Sequence, residues 1–403
     1  MEKQILHVDV NNAFLSWTAL DMLKNGSEID IREIPSIIGG DESKRSGIVL
    51  AKSTKAKEFG IKTAETIYKA KQKCPNIQIF SSNFKIYKEY SNKLYQLLLE
   101  YTDKIERFSI DECFLDMTQY LMKDTLINKA KEINKRVQEE LGFTVNVGVS
   151  NNKVLAKMAS DFEKPNKIHT LFKEEISKKL WILPISDLFM LGKKTVPKLH
   201  NMQVKTIGEL AKTDKTVLEK KFGKHGILMW EYANGIDNSI VNHKNKKPKC
   251  IGNSITLPQN ISDIDKLKEI TLGIVEQVSY RLRQENLLAS TVSVQLRNKD
   301  FENTSHQGVI SQPTDITKEI YNKAKELLEQ MYNKESIRLI GIKVDNLSKK
   351  EENQISLFDN KNNEKQEKLD KVIDSLKNKY GYNSVTRAGK MEVKDIVRFK
   401  DSD

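Results

Sequence analysis

The sequence predicts a multidomain α+β protein in which helices and strands alternate through a mixed sheet. The chain has 403 residues, and at about 150 residues per domain this length predicts two to four domains. From residue 4 to residue 165, short runs rich in β-formers alternate with segments of helical periodicity. Residues 249–347 then follow the order strand, helix, strand, strand, helix, strand, which is typical of a compact split βαβ module.

The chain begins with a short apolar strand, Gln4–Val10. Because side chains alternate along a strand, Ile5, His7 and Asp9 share one face. Residues 11–24 carry apolar side chains near helical spacing and predict a helix that contains Phe14.

A second strand-like run, 108–116, contains the adjacent carboxylates Asp111 and Glu112. Apolar runs of this length with flanking turns predict a buried strand. Burying ionised carboxylates is costly without a compensating positive charge, and Arg107 is the only basic residue close by in the sequence. A divalent metal is the natural compensator. Together with Asp9, the pair could hold two ions about 3.5–4 Å apart, as in phosphoryl transfer.

Spacing alone leaves another interpretation open for these three carboxylates, which is that they are turn residues at strand ends. The segments that carry them lie about a hundred residues apart in the sequence, and nothing local shows that they meet.

Residues 21–75 predict a small α/β insertion. Segments 36–41 and 46–51 predict strands, and Thr54–Phe59 predicts a short helix closed by Gly60, because glycine is favoured just past a helix end. Residues 84–101 predict a long amphipathic helix with apolar residues on one side.

The next predicted elements complete the alternating region. Residues 126–141 predict a helix, and Phe143–Val149 alternates strictly, which predicts a half-buried strand. A further helix starts at Asn152 and ends before Pro165, because the residue before a proline disfavours helix.

Residues 166–238 predict helices and carry a positive charge. Segment 166–248 contains 16 Lys or Arg and 8 Asp or Glu. Within it, Met190–Leu199 and Gln203–Leu210 predict a helix, a glycine turn at Gly192 and a second helix. Free backbone N–H groups at such a turn can hold a phosphate, with Lys193 and Lys194 beside it. The alternative is an ordinary pair of antiparallel helices.

A polar basic linker, 241–248, separates this region from the split βαβ module. In the module's third element Val292, Val294 and Leu296 face one way, whereas Ser293, Gln295 and Arg297 face the other. A polar sheet face with an arginine could lie on phosphates, or it could be ordinary solvent-exposed surface.

The chain becomes polar after Lys349. Gln354, Ile355, Ser356, Leu357 and Phe358 form an apolar island within it, which indicates a docking peptide or a chance match. Residues 368–380 then have Leu369, Val372, Ile373, Leu376 and Tyr380 at helical spacing, which predicts a helix that packs on the body of the protein.

Composition restricts the class of partner and the compartment. Lys and Arg outnumber Asp and Glu, 67 to 55, for a net charge of +12, which favours a polyanion such as nucleic acid. The three cysteines are far apart and form no zinc or disulfide pattern, so the expected setting is the reducing cytoplasm. No segment has the ~18 consecutive apolar residues of a membrane span, and no signal peptide is visible.

The motifs in residues 4–347 resemble those of the Y-family translesion DNA polymerases. The most specific is Ser109-Ile110-Asp111-Glu112. Others are residues 153–161 with Lys164-Pro165-Asn166, and Asp9-Val10 with Phe14 five positions after Asp9. The resemblance implies a right-hand polymerase. Its domains would be the palm (1–20 and 76–165), fingers (21–75), helical thumb with a helix-hairpin-helix (166–240), linker (241–248), βαββαβ little finger (249–348) and C-terminal tail (349–403).

The resemblance also implies roles for matching residues. Asp9, Asp111, Glu112 and the Val10 carbonyl would bind two Mg²⁺ ions, with Mn²⁺ as a possible substitute. Phe14 would be the steric gate under the sugar; otherwise it is a core aromatic.

In the substrate site, Lys164, Lys57 and Thr54 would surround the triphosphate, although solvated surface is the simpler reading of both lysines. The family usually has Arg and Tyr where this chain has Lys57 and Thr54, and often a second acidic residue where it has Asn11. Lysine cannot make the bidentate contact of an arginine, so the grip on the triphosphate is expected to be looser.

The function implied by the resemblance is template-directed extension of a primer by dNTPs at low fidelity, in lesion bypass. Primer-template DNA would be the partner, with a sliding clamp bound at residues 354–358. A monomer without a membrane association is expected. Two alternatives are another two-metal enzyme, such as a nucleotide cyclase or nuclease, and a non-catalytic accessory protein bound to DNA or clamp.

Overall fold

The computed structural model describes residues 2–40, 47–120, 125–244, 247–350, 361–387, 393 and 395–397. The chain divides into two compact units, residues 1–39 with 49–245 and residues 40–48 with 246–403. None of the described helices has both the length and the apolar composition needed to cross a membrane.

Strands and helices alternate through the first unit. Its elements are β1 (Ile5–Val10), α1 (Ala13–Lys24), β2 (Ser36–Gly39), β3 (Val49–Lys52), α2 (Thr54–Glu58), α3 (Ile67–Lys73), β4 (Gln78–Ser81), α4 (Phe84–Leu99), β5 (Ile105–Arg107), β6 (Glu112–Asp116), α5 (Leu126–Arg136), β7 (Val145–Ser150), α6 (Lys153–Ser160), β8 (Ile168–Thr170), α7 (Val196–His200), α8 (Ile207–Lys212), α9 (Lys215–Phe222) and α10 (Lys224–Ala233).

The central sheet of this unit has the strand order β5-β6-β1-β7-β8. All its pairs are antiparallel except β7 with β8, so the sheet is mixed. Every residue of β1 and β7 is buried. The expectation that residues 143–149 form a half-buried strand is therefore wrong, because the strand packs against α6 and α5 as well as between its neighbours.

A second, smaller sheet has the order β3-β2-β4. It includes Gln78–Ser81, a strand that the sequence did not predict and that lies beyond the expected end of the fingers at residue 75. This strand is short and largely exposed, so it lacks the apolar alternation by which strands are recognised. Similarly, β8 extends the central sheet past residue 165.

The glycine turn near residue 192 differs from its prediction on one side. Before it lies only a short 3₁₀ turn, Ile185–Asp187, where a first helix was expected. After it come the five residues of α7 and the six of α8. Thr206 begins α8 as an N-cap and exchanges hydrogen bonds with Glu209 in a capping box, an arrangement that satisfies free backbone donors.

The second unit has the predicted order of elements, with longer strands. They are β9 (Cys250–Ile261), α11 (Ile264–Gln284), β10 (Leu287–Asn298), β11 (Asn303–Thr314), α12 (Thr317–Met331), β12 (Ile337–Lys349) and α13 (Lys361–Tyr380). The sheet order is β11-β10-β12-β9. Val292, Val294 and Leu296 are buried beneath α11 and α12, as the alternation in β10 predicts.

The C-terminal helix α13 packs on the second unit as predicted, but not through its apolar row. Leu369, Val372, Leu376 and Tyr380 are exposed, whereas Asp370 is buried. The helix forms as predicted, but its polar face is the one that meets the protein.

Candidate active site

The central sheet brings Asp9 and Glu112 together although they are far apart in the sequence. Strands β1 and β6 are antiparallel, and their register places Asp9 directly opposite Glu112. Asp9 is only 6% exposed, at the end of a strand that is buried on both faces. Directly opposed residues have Cβ atoms about 4.5–5.5 Å apart. The two carboxylates therefore share one site.

Asp111 lies next to this pair, in a turn. Residues 108–111 connect β5 to β6 and do not form the predicted strand, because the Phe108 and Ser109 N–H groups both donate to the Glu112 carbonyl. The Val10 N–H donates to the Asp111 carbonyl (3.1 Å), which ties the turn to the end of β1. The Ser109 hydroxyl donates to the Asp111 carboxylate (2.6 Å) and leaves it half-exposed.

Two lysines, not Arg107, supply the positive charge at these carboxylates. The Lys157 ammonium contacts Glu112 and lies 3.6 Å from Asp9. Lys164 contacts Asp9 as well and pairs with Asp161 at 2.9 Å. Arg107 instead lies over the Tyr95 ring, 4.1 Å from its centroid. Arg107, the basic residue nearest to the pair in the sequence, therefore does not compensate their charge.

Burial determines the electrostatics of the site. It raises the pKa of Asp9, and the Lys164 and Lys157 ammonium groups only partly offset this rise. Burial likewise raises the pKa of Glu112 against the influence of Lys157. For Lys164 the balance is the reverse, because its loss of solvation is outweighed by Asp9 and Asp161, which raise its pKa. The ionised forms of Asp9 and Glu112 therefore depend on positive charge close by.

The donor chemistry of this site fits a hard divalent ion. Mg²⁺ and Mn²⁺ prefer carboxylate and carbonyl oxygens, and Asp9, Glu112, Asp111 and Val10 offer both kinds. With the side chains in their present positions, no three acidic, His or Cys residues in the described part of the chain are grouped tightly enough to hold a metal. The Lys157 ammonium lies within ion-pair distance of both Asp9 and Glu112, so an ion shared by them requires that Lys157 turn away.

Helix α6 carries Lys157 and is held against the sheet by close backbone contact. A Cβ added at Gly148 would lie 1.9 Å from the Ala156 carbonyl oxygen and 2.6 Å from the Ser160 nitrogen. Only glycine permits this approach. The Ser160 hydroxyl donates to the Lys157 carbonyl (2.8 Å) and accepts from Nδ1 of His7 (2.8 Å). Burial, and secondarily the nearby lysines, lower the pKa of His7 and keep it neutral.

Asn11 joins three segments beside Asp9. Its Oδ1 accepts from the Asn166 N–H (2.9 Å), and its Nδ2 donates to Oδ1 of Asn146 (3.0 Å). The amide of Asn146 cannot turn round, because its own Nδ2 donates to the Ser160 and Glu163 carbonyls. Residue 11 must therefore donate as well as accept, which explains an amide where the family often has an acid.

A lysine-lined pocket of about 200 Å³ opens next to Asp9. It is lined by Val10, Asn11, Asn12, Lys52, Ser53, Thr54, Lys57, Lys164 and Pro165. Three of these residues are lysines and none is acidic. Lys52 was not predicted as a site residue. Burial and the neighbouring Lys57 lower its pKa, and Glu65 only partly offsets this.

The residues that the sequence analysis missed had no local signal. Lys157 lies within the motif at residues 153–161, but its approach to Asp9 and Glu112 depends on the packing of α6 against β1. Lys52 ends β3, five residues before Lys57, and only the turn into α2 brings both to one pocket. Their convergence is a property of the tertiary structure.

Phe14 occupies a half-buried position on α1. Its ring stacks on Tyr87, with 4.6 Å between centroids, and meets Phe84 edge-on at 5.6 Å. These contacts fix the ring on one side and leave part of it accessible.

The predicted DNA contacts are located on the surface of each unit. Gly192, Lys193 and Lys194 are exposed in the turn before α7. In the second unit, Arg297 is half-exposed on β10 and donates to Asn303 on β11 (2.9 Å). The predicted clamp-binding segment, residues 354–358, lies outside the described residues.

Comparisons with family models agree with this arrangement. Residues 8–161 match the impB/mucB/samB family, and residues 248–357 match the C-terminal domain of that family. Residues 186–237 match the thumb domain of DNA polymerase iota.

Known proteins resemble the chain over nearly its whole length. It is 47% identical to DNA polymerase IV of Clostridium acetobutylicum, covering 97% of this chain and 99% of that protein. It is 36% identical to DNA polymerase IV of Acetivibrio thermocellus, covering 96% and 97% respectively.

Two solved structures share the fold. One is a Y-family DNA polymerase chimera (TM-score 0.74, 24% identity, covering 86% of this chain and 99% of that one). The other is DinB from Sulfolobus solfataricus (TM-score 0.56, 25% identity, covering 85% and 98%). The chain therefore belongs to the impB/mucB/samB family of Y-family polymerases and is a DNA-directed DNA polymerase of the translesion class.

Proposed function

We propose that Asp9, Asp111 and Glu112, with the Val10 carbonyl, form the catalytic centre at which this polymerase joins a dNMP to a primer 3′ end. The observation that carries the proposal is the pairing of Asp9 with Glu112 beside a pocket lined by three lysines. An accessory protein without catalysis would have no need of buried carboxylates next to a lysine-lined pocket.

The residues of the site form two groups, one that would bind positive metal ions and one that would bind the negative triphosphate. The carboxylates would bind two Mg²⁺ ions, which when bound lower the pKa of the primer hydroxyl and neutralise the leaving group. Lys52, Lys57 and Lys164, with Thr54, would hold the triphosphate of the incoming dNTP in a fixed position. Fixed positive charge is most effective where negative charge develops during the reaction.

We propose that Phe14 selects the sugar of the incoming nucleotide. Its ring is held by Tyr87 and Phe84, so it cannot easily withdraw, and it lies on the helix that follows Asp9 and Val10. A rigid aromatic ring at this place would leave too little room for a 2′-hydroxyl group.

The DNA would be bound mainly through its phosphates. Gly192, Lys193 and Lys194 offer backbone N–H groups and positive charge in an exposed turn, and Arg297 offers a guanidinium on the polar face of β10. Contacts to phosphates do not read the bases, and binding of this kind suits a polymerase that tolerates altered templates.

The remaining assignments are also proposals. The palm, fingers, thumb and little finger would follow the boundaries given above, with β4 and β8 as extensions of their sheets. Residues 354–358 would dock on a sliding clamp, and the protein would act as a monomer in the cytoplasm.

Primer extension with four dNTPs and Mg²⁺ tests the catalytic assignment. We expect Asp111→Asn and Glu112→Gln each to lower the rate by about a thousandfold or more, while DNA binding changes little. Glu139→Gln is the matched control, because Glu139 is exposed and its carboxylate pairs with Lys135 and not with a residue of the site. Parallel loss of binding and extension, or an effect of the control as large as that of Glu112→Gln, would refute the assignment.

A further inference from the structure

The helix α13 is attached to the second unit by its polar face. Asp370, Asp374 and Lys377 are buried, at positions one helical turn apart. The Arg283 guanidinium makes a bidentate contact with Asp374 (2.6 and 2.9 Å), and lies 3.4 Å from Asp370. Such forked ion pairs combine strength with a defined orientation. The rotation of the helix about its axis is thereby fixed.

Asp370 is further held by two other partners. Its carboxylate accepts from the Thr317 N–H at 2.9 Å, at the start of α12, and from Arg387 at 2.7 Å. Arg387 in turn pairs with Glu276 on α11 at 2.9 Å. Because removal of one member of a buried ionic network is costly, the helix cannot roll over to bury its other face.

Because α13 is attached by its polar face, its other side exposes a stripe of apolar residues. Leu369, Val372, Leu376 and Tyr380 follow one another at intervals of three, four and four residues, so they lie in one row along the helix. They are between 38% and 63% exposed. None of them belongs to the apolar core of the second unit. A row of this spacing is the anchor pattern of a helix that lies in a groove.

The charge around this stripe is positive. Lys365, Lys368 and Lys379 are exposed, and each is three or four residues from a member of the stripe, whereas no acidic residue is. The Lys379 ammonium lies 5.2 Å from the Tyr380 ring. Within the described part of the chain, Lys365 and Lys368 form no ion pair. A partner that complements this surface must itself be acidic.

A second copy of the chain does not fit this surface. Two such stripes in contact would bring lysines against lysines. We propose that α13 is a docking helix whose stripe enters an apolar groove rimmed by carboxylates on another protein.

The test uses the full chain, with the photo-crosslinking residue p-benzoylphenylalanine in place of Val372, expressed in cells of its own organism. The matched probe carries it in place of Asn378, which is exposed on α13 but outside the stripe. We expect an acidic protein to be cross-linked from position 372 and not from position 378. The purified partner should then bind the parent chain in solution, with an affinity that falls as salt rises.

Two variants decide whether the stripe and its rim cause the binding. Val372→Ser with Leu376→Ser should weaken binding tenfold or more, and Lys365→Glu with Lys368→Glu should weaken it at low salt. Asn378→Ser should not change it, and all should keep the parent melting temperature. No cross-link, a cross-link to a second copy, to DNA, to lipid or to a partner that is not acidic, or binding unaffected by the stripe variant would overturn the proposal.

Discussion

At residue 11 the side chain has to donate and accept hydrogen bonds at once. Asn146 presents an oxygen to it, because the nitrogen of that amide is committed to two backbone carbonyls. An acid at this position would place its oxygen against another oxygen, in a buried site.

We therefore expect Asn11→Asp to destabilise the first unit by about 2 kcal/mol, the usual cost of leaving buried polar groups unsatisfied. Urea unfolding followed by tryptophan fluorescence measures this, since Trp17, Trp181 and Trp230 all lie in that unit. The control is Asn12→Asp, the same chemical change at the neighbouring exposed residue. Equal loss of stability in both variants would contradict the account.

Lys52 illustrates how a residue can join a site from a strand end. We expect Lys52→Ala to raise the KM for dNTP about tenfold, or about 1.4 kcal/mol, with a smaller effect on kcat, because it removes charge from the triphosphate pocket. Lys55→Ala, three residues further along the chain on α2 and outside the pocket lining, serves as the control. An unchanged KM in Lys52→Ala, or an equal rise in Lys55→Ala, would remove Lys52 from the site.

At the scale of elements, the position of Lys157 depends on how closely α6 approaches β7. Gly148→Ala would force its new methyl group against the backbone of α6, which cannot move aside as a flexible side chain would. We expect a loss of about 3 kcal/mol or more in the free energy of unfolding.

Gly192→Ala is the control for Gly148→Ala, because nothing lies within 4 Å of a Cβ at Gly192. Its stability should be close to that of the parent. If Gly148→Ala is equally stable, α6 has room to move, and the positioning of Lys157 by this contact is refuted.

Most of the helices and strands could be predicted from the sequence, and the exceptions have physical causes. Strand β1, helix α4 and the βαββαβ order follow from periodicity, because their apolar faces are continuous. Strand β4 has little apolar pattern to detect. The face by which α13 packs could not be predicted from its apolar row, because the buried ion pairs of Asp370 and Asp374 with Arg283 determine it. Periodicity alone cannot reveal a face that is buried through charge.

The same limit applied to the site. The carboxylate pair Asp111-Glu112 and Asp9 at the end of β1 could be selected as candidates from the sequence, since charged residues in apolar runs are conspicuous. Lys157, Lys52 and the Asn146 network were not. Each gains its role from contacts between segments that are distant in the sequence, for which a single chain without its fold carries no local sign.

At the scale of the whole molecule, the net charge of +12 predicts binding to DNA that weakens steeply with salt. Each phosphate neutralised contributes about −0.9 to the slope of log K against log salt. We expect Lys193→Glu with Lys194→Glu to make the slope shallower by about two, measured by fluorescence anisotropy with primed DNA. Lys220→Glu with Lys221→Glu changes the charge equally at the end of α9. Identical slopes in both double variants would show that the turn makes no specific phosphate contact.

The proposed catalytic centre combines three carboxylates that bind metal with a lysine-lined pocket for the triphosphate. The most direct measurement is anomalous scattering from Mn²⁺ in crystals of the protein with primed DNA and a non-hydrolysable dNTP. We expect manganese bound by Asp9, Asp111 and Glu112, with Lys157 displaced from them and the triphosphate against Lys52, Lys57 and Lys164. Manganese bound elsewhere, or Lys157 still between Asp9 and Glu112, would contradict it.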